Sequence, residues 1–281
     1  MLYISDESIE RWIKEDVPYI DLTTLTLDIG DIKGKISFKA REFTVLSGVE
    51  EVLRIFNKLG ITEFQSLPSG SVVDKGDTFI EAVGSAGNLH LAWKVSLNVL
   101  EYCSGIATRT KKMVEKAKGI NPKTSVVATR KSFPGTKELS IKSIIAGGAY
   151  PHRLGLSETI LIFKQHINFL GDVSDLVQMI GKIKEKVCEK KVIVEVEGIE
   201  DARLLIQSGV DGLQFDKVPA EDLKNIVEEI RRINPRITLL GAGGINEGNI
   251  EEYARTGIDA IVTTSMYFGK PSDIGVTIGK F

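Results

Sequence analysis

Residues 192–217 read VIVEVEGIEDARLLIQSGVDGLQFDK, and this stretch indicates the fold class most clearly. Two short apolar runs, VIVEV and GLQF, stand at its ends as strands. The segment between them, IEDARLLIQSG, reads as an amphipathic helix. A strand, a helix and a strand in this order indicate a βα unit of a parallel sheet.

The same alternation extends from residue 124 to residue 265. Its strand-like runs are TSVVAT, ETILIF, VIVEVEG, VDGLQFDK, ITLLGAGG and IDAIVTTS. Helix-like runs such as DVSDLVQMIGKIKEK and PAEDLKNIVEEIRR lie between them. The repeat predicts an α/β fold with an incomplete, open TIM-like barrel, because the residues that carry chemistry follow the strands, where barrels build their sites. A doubly wound open sheet is the alternative.

The first part of the chain lacks this repeat and predicts a small α+β domain. The run IKGKISFKAR alternates Ile36, Phe38 and Ala40 with polar residues, as a half-buried strand does. A long helical stretch from Asn88 to Asn121, expected to break near Gly105, bridges to the second domain. We therefore predict an α+β domain at 1–104 and a barrel with the active site at 105–267. The tail 268–281 is free to pack back onto the first domain.

Composition narrows the class of protein. The 281 residues carry a formal net charge of -2, with 42% hydrophobic and 26% charged residues. This balance indicates a globular protein without general affinity for nucleic acid or membranes. The first residues, MLYISDESIERW, do not show the basic start and following apolar run of a signal peptide. Cys103 and Cys188 lack the spacing of metal-binding cysteines. The chain therefore reads as cytoplasmic, with reduced thiols.

Basic residues follow the first predicted barrel strand. Thr129, Arg130 and Lys131 end that strand, and His152 and Arg153 follow a glycine pair. Arginine can bind carboxylates and phosphates through two parallel hydrogen bonds, so we expect the basic residues to bind an acidic substrate. Lys137 and Lys142, which lie between, read equally well as a solvated basic loop. His152 reads equally well as a packed side chain.

Acidic residues follow the central strands. Glu195 and Glu197 stand two apart, and Asp216 ends the next strand. Residues two apart on a strand point to the same face, so both glutamates are expected to enter the barrel. Such carboxylates hold Mg²⁺ through water and phosphate or stabilise a cationic sugar. Ion pairing with nearby Lys and Arg is the competing interpretation, mainly for Glu195.

A glycine-rich turn follows the fifth strand-like run. The residues Ala242, Gly243 and Gly244 precede a helix, and their backbone N–H groups can form a phosphate cradle. The last strand ends in Thr263, Thr264 and Ser265, which offer hydroxyls on the same side. Late loops of a barrel are its usual phosphate site.

Ordered blocks of this chain resemble the quinolinate phosphoribosyltransferase (nicotinate-nucleotide pyrophosphorylase) family. The blocks are EDVPYIDLTT, SLNVLEYCSGIATRT, VVATRKSFPGTK, GGAYPHRLGLSETIL, VEVEG and GAGGI. Further segments, WKVSLN, SFPGTK, LSETILIF and LQFDK, are similar to the ModD subgroup, which is associated with molybdate-transport operons. The resemblance spans nearly the whole chain.

The resemblance implies a fold, a reaction and roles for residues. It implies an N-terminal α/β sandwich domain, an open barrel, and transfer of phosphoribosyl from phosphoribosyl pyrophosphate (PRPP) with Mg²⁺. In the family, quinolinate is the acceptor and carbon dioxide is released, and sites are shared between copies of a homodimer or higher oligomer. The implied acid-binding residues are Lys94, Thr129, Arg130, Lys131, His152, Arg153 and Phe163. The implied catalytic residues are Glu197, Asp216 and Lys131, with Glu197 and Asp216 facing ribose and Mg²⁺. The implied phosphate-binding residues are Ala242, Gly243, Gly244, Thr263, Thr264 and Ser265.

Three positions depart from the family pattern. Lys94 stands where a partner subunit donates arginine, Phe163 where a strand end carries lysine, and Ala242 where serine precedes the glycine pair. Strand alternation places the next residue, Lys164, on the face opposite Phe163, and the alternative is that a bulge at the strand end turns it into the pocket. With two cations weakened or lost, we predict a PRPP-dependent transferase that acts on an aromatic or heteroaromatic acid other than quinolinate. The alternatives are an authentic quinolinate enzyme of NAD biosynthesis and a non-catalytic binder of a phosphorylated ligand or an oxyanion.

Overall fold

The computed structural model describes residues 2–281. Over these residues the helices are α1 (Asp6–Asp16), α2 (Leu22–Thr26), α3 (Val49–Lys58), α4 (Ala86–Ile120), α5 (Lys137–Ala146), α6 (Lys164–Ile167), α7 (Val173–Lys186), α8 (Ile199–Ser208), α9 (Ala220–Ile233) and α10 (Ile250–Ala254). The strands are β1 (Lys33–Ala40), β2 (Thr44–Val45), β3 (Glu63–Ser66), β4 (Val72–Val73), β5 (Thr78–Ser85), β6 (Ser125–Ala128), β7 (Tyr150–Pro151), β8 (Ile160–Ile162), β9 (Val192–Val196), β10 (Gly212–Asp216), β11 (Thr238–Ala242), β12 (Ala260–Thr263) and β13 (Ile274–Lys280). The chain divides into two compact units. Unit 1 holds the described residues up to Lys111 together with Phe133–Gly148 and Tyr267–Phe281, and unit 2 holds Lys112–Ser132 and Ala149–Met266.

Unit 1 is built on an antiparallel sheet with the strand order β13-β1-β5-β3. The predicted alternation of Ile36, Phe38 and Ala40 is confirmed, since all three are buried at 0–1% exposure while β1 residues between them are half-buried or exposed. Helix α3 packs Val52 and Phe56 against this face. Each such fully buried apolar side chain contributes about 1.5–3 kcal/mol.

The tail pairs with the first strand of unit 1. Strand β13 runs antiparallel to β1 from the pair Gly34 and Lys280 to the pair Ala40 and Ile274. The tail therefore completes one edge of the unit 1 sheet.

Helix α4 is unbroken, so the predicted break near Gly105 is wrong. A Cβ at Gly105 would lie 3.0–3.2 Å from backbone atoms of Lys270, Pro271 and Ser272. The glycine is there because the tail backbone crosses the helix at this point, and the 13-atom hydrogen-bonded turns of the helix continue through it.

Lys142, a candidate for substrate binding in the sequence, is held in unit 1. Its Nζ lies 2.6 Å from Glu50 and 2.5 Å from Glu51, which is only 4% exposed in its side chain. Although burial alone would raise the pKa of Glu50, hydrogen bonds from Lys142 and Ser69 lower it to about 2. The solvated-loop interpretation of Lys142 is also wrong, because the lysine is a structural partner of two carboxylates.

Unit 2 is built on seven parallel strands in the order β7-β6-β12-β11-β10-β9-β8. This curled sheet with unpaired ends at β7 and β8 confirms the open α/β barrel and excludes the doubly wound alternative. Its inner face carries an apolar cluster. The cluster consists of Leu161, Ile193, Leu240, Ala242, Ala260 and Val262, with Val127 and Phe163 packed against it.

Other expectations concern the thiols and the membrane. Both cysteines are free, Cys103 is buried, and burial raises its pKa to about 12, so it is an unreactive thiol. Within residues 2–281, none of the helices combines the length and the apolar character that a bilayer crossing requires.

Candidate functional site

Unit 2 gathers the predicted site residues at the carboxyl ends of its strands. Fifteen of the sixteen lie there, on or just after β6 to β12, namely Thr129, Arg130, Lys131, His152, Arg153, Phe163, Glu197, Asp216, Ala242, Gly243, Gly244, Thr263, Thr264 and Ser265, together with the related Glu195. In a parallel barrel these ends meet at one mouth. Lys94 is the exception: it lies on α4 in unit 1, exposed, with its Nζ 4.1 Å from the Trp93 ring centre.

The basic side of the mouth contains one buried and two exposed cations. Arg153 is 8% exposed and donates from Nη1 to the Thr159 carbonyl at 3.3 Å. Arg130 and Lys131 are exposed. Burial, followed by the charge of Arg130, lowers the pKa of Arg153, yet a guanidinium stays charged at neutral pH. Arg130 and Lys131 are therefore the cations most accessible to an acid.

His152 sits beside this arginine. Burial, and then the charge of Arg153, lowers the pKa of His152 below its ordinary 6.5. At neutral pH the imidazole is therefore uncharged, and it offers one donor and one acceptor rather than a positive charge.

Phe163 forms an aromatic wall next to the arginine. The Arg153 guanidinium carbon lies 6.0 Å from the Phe163 ring centre, a cation–π distance. The His166 ring stacks on Phe163 with centroids 5.7 Å apart, and His166 Nδ1 accepts the Phe163 backbone N–H at 3.0 Å. His166 was not predicted as a site residue, because its only signal in the sequence is its place shortly after the end of β8.

Lys164 does not follow the predicted alternation. Helix α6 begins at Lys164, so strand geometry ends at Phe163 and the lysine turns toward β9. Its Nζ lies 3.6 Å from Glu197 Oε1, with both side chains about 70% exposed. Lys164 therefore adds a cation on the acidic side of the mouth.

The carboxylates form a group on β9 and β10. Glu195 lies close enough to Asp216, Lys131 and Glu197 for their charges to act on it, although burial is the first cause that raises its pKa. Asp216 is partly buried, with Lys217 Nζ at 3.8 Å. Lys217 has an unusual left-handed backbone, φ 58°, and donates its N–H to the Ala242 carbonyl at 2.8 Å. Lys217 was not predicted as a site residue, because its strain arises from the neighbouring loop.

The residues offer Mg²⁺ only a partial ligand set. Within residues 2–281, no group of three or more His, Cys, Asp or Glu side chains could hold a metal by itself. Two acidic oxygen donors, Glu197 and Asp216, suit Mg²⁺ when phosphate and water complete its shell. The residues therefore fit a metal that arrives with a pyrophosphate group.

The glycine-rich turn lies close to Asp216 and Lys217. Gly243 and Gly244 both adopt left-handed backbone, φ 84° and 73°. A Cβ at Gly243 would lie 2.6 Å from the Lys217 backbone nitrogen and 2.7 Å from Asp216 Oδ1, so only glycine fits. A Cβ at Gly244 would meet no atom within 4 Å, so this backbone is open to a ligand. A turn of this kind leaves successive backbone N–H groups available, and such groups can bind an anion.

The hydroxyl residues of the last strand have different positions. Thr263 is 3% exposed, and its hydroxyl donates to the Ile245 carbonyl at 2.6 Å, which anchors the glycine-rich turn. Its side chain is thus committed to the protein, and a direct bond from it to phosphate does not fit the geometry. Thr264 Oγ1 lies 2.9 Å from Thr129 Oγ1, at the inner face. Ser265 lies half-buried beside Thr263.

A cleft opens beside the carboxylates. It measures about 240 Å³ and its walls include Lys164, Glu195, Glu197, Asp172 and Asp201. Its charged lining is mostly acidic, and among residues 2–281 Lys164 is the one cation that lines it.

This fold and this mouth define a class, an open α/β-barrel protein with cations, carboxylates and a glycine-rich turn at the carboxyl ends of its strands. Family models match both parts of the chain: "Quinolinate phosphoribosyl transferase, N-terminal domain" at residues 21–104 and "Quinolinate phosphoribosyl transferase, C-terminal domain" at residues 106–277. The chain belongs to the quinolinate phosphoribosyltransferase family, as its sequence blocks predicted.

Relatives place the chain near the ModD subgroup. A Pasteurella multocida protein named "Putative pyrophosphorylase ModD" is 36% identical over 280 residues, covering 100% of this chain and 99% of the relative. A protein of the same name from Escherichia coli O127:H6 is 33% identical over 278 residues, covering 99% and 98%. The structure of nicotinate-nucleotide pyrophosphorylase from Francisella tularensis superposes with a TM-score of 0.89 at 25% identity, covering 99% of this chain and 98% of that one. The predicted fold class is confirmed, and the chain is ModD-like.

Proposed function

We propose that the chain is a PRPP-dependent phosphoribosyltransferase that transfers phosphoribosyl to an aromatic or heteroaromatic acid, with quinolinate a poor acceptor. The observation that carries the proposal is the close approach of Gly243 to Asp216, where an added Cβ would lie 2.7 Å from Asp216 Oδ1. An open glycine-rich backbone therefore lies beside the Asp216 carboxylate, and an anion-binding turn next to a carboxylate is the combination that a phosphorylated ribose requires.

The reaction exchanges one bond at the ribose C1. The ring nitrogen of the acceptor donates its electron pair to C1, and the bond from C1 to the pyrophosphate oxygen breaks. Pyrophosphate leaves with that electron pair. The ribose gains positive charge in between, and the carboxylates of Glu197 and Asp216 stabilise it.

Each group of side chains has a role in this proposal. Arg130 and Lys131 bind the carboxylate of the acceptor, and the neutral His152 and the Phe163 wall contact its ring. The turn at Gly243 and Gly244 binds the 5-phosphate, and Thr263 holds that turn. Glu197 and Asp216 would hold Mg²⁺, which would supply charge neutralisation for the pyrophosphate leaving group.

We also propose that the active protein is at least a homodimer with shared sites. Lys94 is exposed and belongs to unit 1, whereas the other site residues belong to the strands of unit 2. A symmetric pair would bring the Lys94 of each copy to the other's mouth and complete two sites at once.

Thermal unfolding with Mg–PRPP tests the sugar-phosphate half. We expect millimolar Mg–PRPP to raise Tm without any acceptor, since a ligand at about 100 times its Kd stabilises a fold by about 2.7 kcal/mol. The variant Asp216→Asn should lose most of the shift. The matched control is Asp222→Asn, at an exposed position in the first turn of α9, and should keep it.

Release of pyrophosphate tests the transferase half. A panel of nicotinate, quinolinate and pterin carboxylates should contain at least one acid that releases pyrophosphate from PRPP. High turnover with quinolinate would favour the authentic NAD-biosynthesis enzyme. A melting shift without turnover of any acid would favour a non-catalytic binder.

A further inference from the structure

The floor of the unit 2 mouth, which the apolar inner cluster forms, also contains a buried glutamine. Gln214 on β10 registers with Glu195 on β9 and with Leu240 on β11, which belongs to the apolar inner cluster. Gln214 therefore shares the inner face, and it is only 5% exposed. A buried amide in such surroundings needs partners for both of its ends.

Only one end of the amide has a partner. Gln214 Nε2 donates to Glu195 Oε2 at 2.8 Å. Gln214 Oε1 is buried, and within residues 2–281 it has no hydrogen-bond partner. Exchanging the two ends would set two oxygens against each other, so the glutamine would lose its bond.

An apolar side chain would suit this position better if only stability mattered. A buried oxygen without a partner is destabilising, whereas methionine of similar size would join the surrounding cluster. The hydrogen bond to Glu195 is therefore the contact that accounts for a glutamine in the floor.

Glu195 is the carboxylate in the group that has no ion pair. Lys164 lies 3.6 Å from Glu197 and Lys217 lies 3.8 Å from Asp216. For Glu195, in the part of the chain that the structure describes, no cationic nitrogen lies within ion-pair distance, and its direct partner is Gln214. Glu195 also lines the cleft with Glu197. The ion-pair interpretation of Glu195 is thus not supported by the geometry.

We propose that Gln214 is a positioning residue that holds the Glu195 carboxylate in the mouth, where Glu195 is a third catalytic carboxylate, facing the positive charge that develops on the ribose. This role rests on the proposed function. Glu195 exchanges no proton and forms no bond. Its charge acts on the transition state more than on bound PRPP, so its loss should lower kcat rather than raise KM.

The test combines Gln214→Met with Glu195→Gln in a double-mutant cycle. The matched control, Gln207→Met, changes an exposed glutamine on α8. Tm, the crystal structure of each variant, and kcat for pyrophosphate release from Mg–PRPP with nicotinate or quinolinate are measured. We expect Gln214→Met to keep the Tm or raise it by about 2–4 °C, to leave β9 and β10 in place, and to release Glu195 from its single position.

Kinetics then separate positioning from a structural role. Gln214→Met should lower kcat at least about 10-fold with little change in the KM for PRPP, and should have no further effect once Glu195 is Gln. Equal effects of Gln214→Met in both backgrounds would overturn the proposal. An unchanged Glu195 position in the Gln214→Met crystal would also overturn it, and this arm needs no turnover. Failure of Mg–PRPP to shift the wild-type Tm would instead count against the proposed function.

Discussion

At the scale of single residues, Phe163 is the position at which acceptor choice is most open to change. A dicarboxylate needs several fixed cations, and the loss of one buried charge partner costs about 2–5 kcal/mol. Here Arg153 is committed to Thr159 and to the Phe163 ring, and Lys94 lacks the two-pronged geometry of arginine. We predict that Phe163→Lys with Lys94→Arg raises kcat/KM for quinolinate at least about tenfold.

Lys164 provides the internal control for this prediction. Because its ammonium lies near Glu197, it could supply part of the missing charge, and Lys164→Met tests this in the wild-type background. If wild type already turns over quinolinate with kcat/KM of about 10⁴ M⁻¹s⁻¹ or more, the substrate-shift idea is wrong.

His152 predicts a pH dependence of folding. Its pKa in the folded protein lies below 6.5 because burial and Arg153 disfavour the charged ring. The unfolded chain therefore binds more protons as the pH falls below 6.5, and the contribution of His152 to stability is full above this pH and is lost below it. His152→Gln should flatten the free energy of unfolding between pH 7 and pH 5, as chemical denaturation can measure. His90→Gln, on α4, is the comparison variant, and an equal flattening there would contradict the assignment.

At the scale of elements, two helix glycines separate packing from helix propensity. A Cβ at Gly105 would meet the tail backbone at 3.0–3.2 Å, whereas a Cβ at Gly181 in α7 would meet no atom within 4 Å. Gly105→Ala should destabilise the fold by about 1–3 kcal/mol, because backbone cannot move aside as a side chain can. Gly181→Ala should stabilise it by up to about 1 kcal/mol, since alanine is the better helix former. Urea denaturation measures the change in the free energy of unfolding for both variants. Changes of the same sign would refute the packing role of Gly105.

The elements also show what a sequence can reveal. The parallel strands of three to five residues were predictable because apolar runs alternate with amphipathic helices. Strand β7 was not, because Tyr150–Pro151 is too short to show a period. The break predicted at Gly105 was wrong because helix propensity describes an isolated helix. The glycine is needed here for the close approach of the distant tail segment at Lys270–Ser272.

The site was predictable in composition but not in its contacts. Polar residues after apolar strands indicated the mouth, and the carboxylate group formed as expected. The hydroxyl of Thr263 points away from the face that carries Thr264 and bonds to the protein itself. Strand alternation between the two neighbours would have indicated this. Gln214 also carried a signal, since it stands two residues before Asp216 within an apolar run, on the same face. Its missing partner, however, appears only in three dimensions.

At the scale of the whole molecule, shared sites predict complementation between inactive variants. Lys94→Ala removes a cation that a partner would supply, and Glu197→Gln removes a carboxylate from the copy's own barrel. Each homo-oligomer should be weak or inactive. Dimers that contain one copy of each variant keep one intact site, so a refolded equal mixture should recover about a quarter of wild-type activity. Recovery no greater than the sum of the separate variants, or an active monomer in sedimentation, would contradict the shared site.

The pairing of β13 with β1 has a consequence for folding during synthesis on the ribosome. These neighbours are separated by roughly 230 residues, from Ala40 to Ile274. At about 5–20 residues per second, β1 emerges about 10–50 s before the strand that covers its edge. During that interval the edge strand is open to pairing with other chains, a hazard that chaperones normally limit. The exposed Lys33 and Lys39, near the two ends of β1, place positive charge on this unpaired edge. Charged side chains on an edge strand discourage its pairing with other chains.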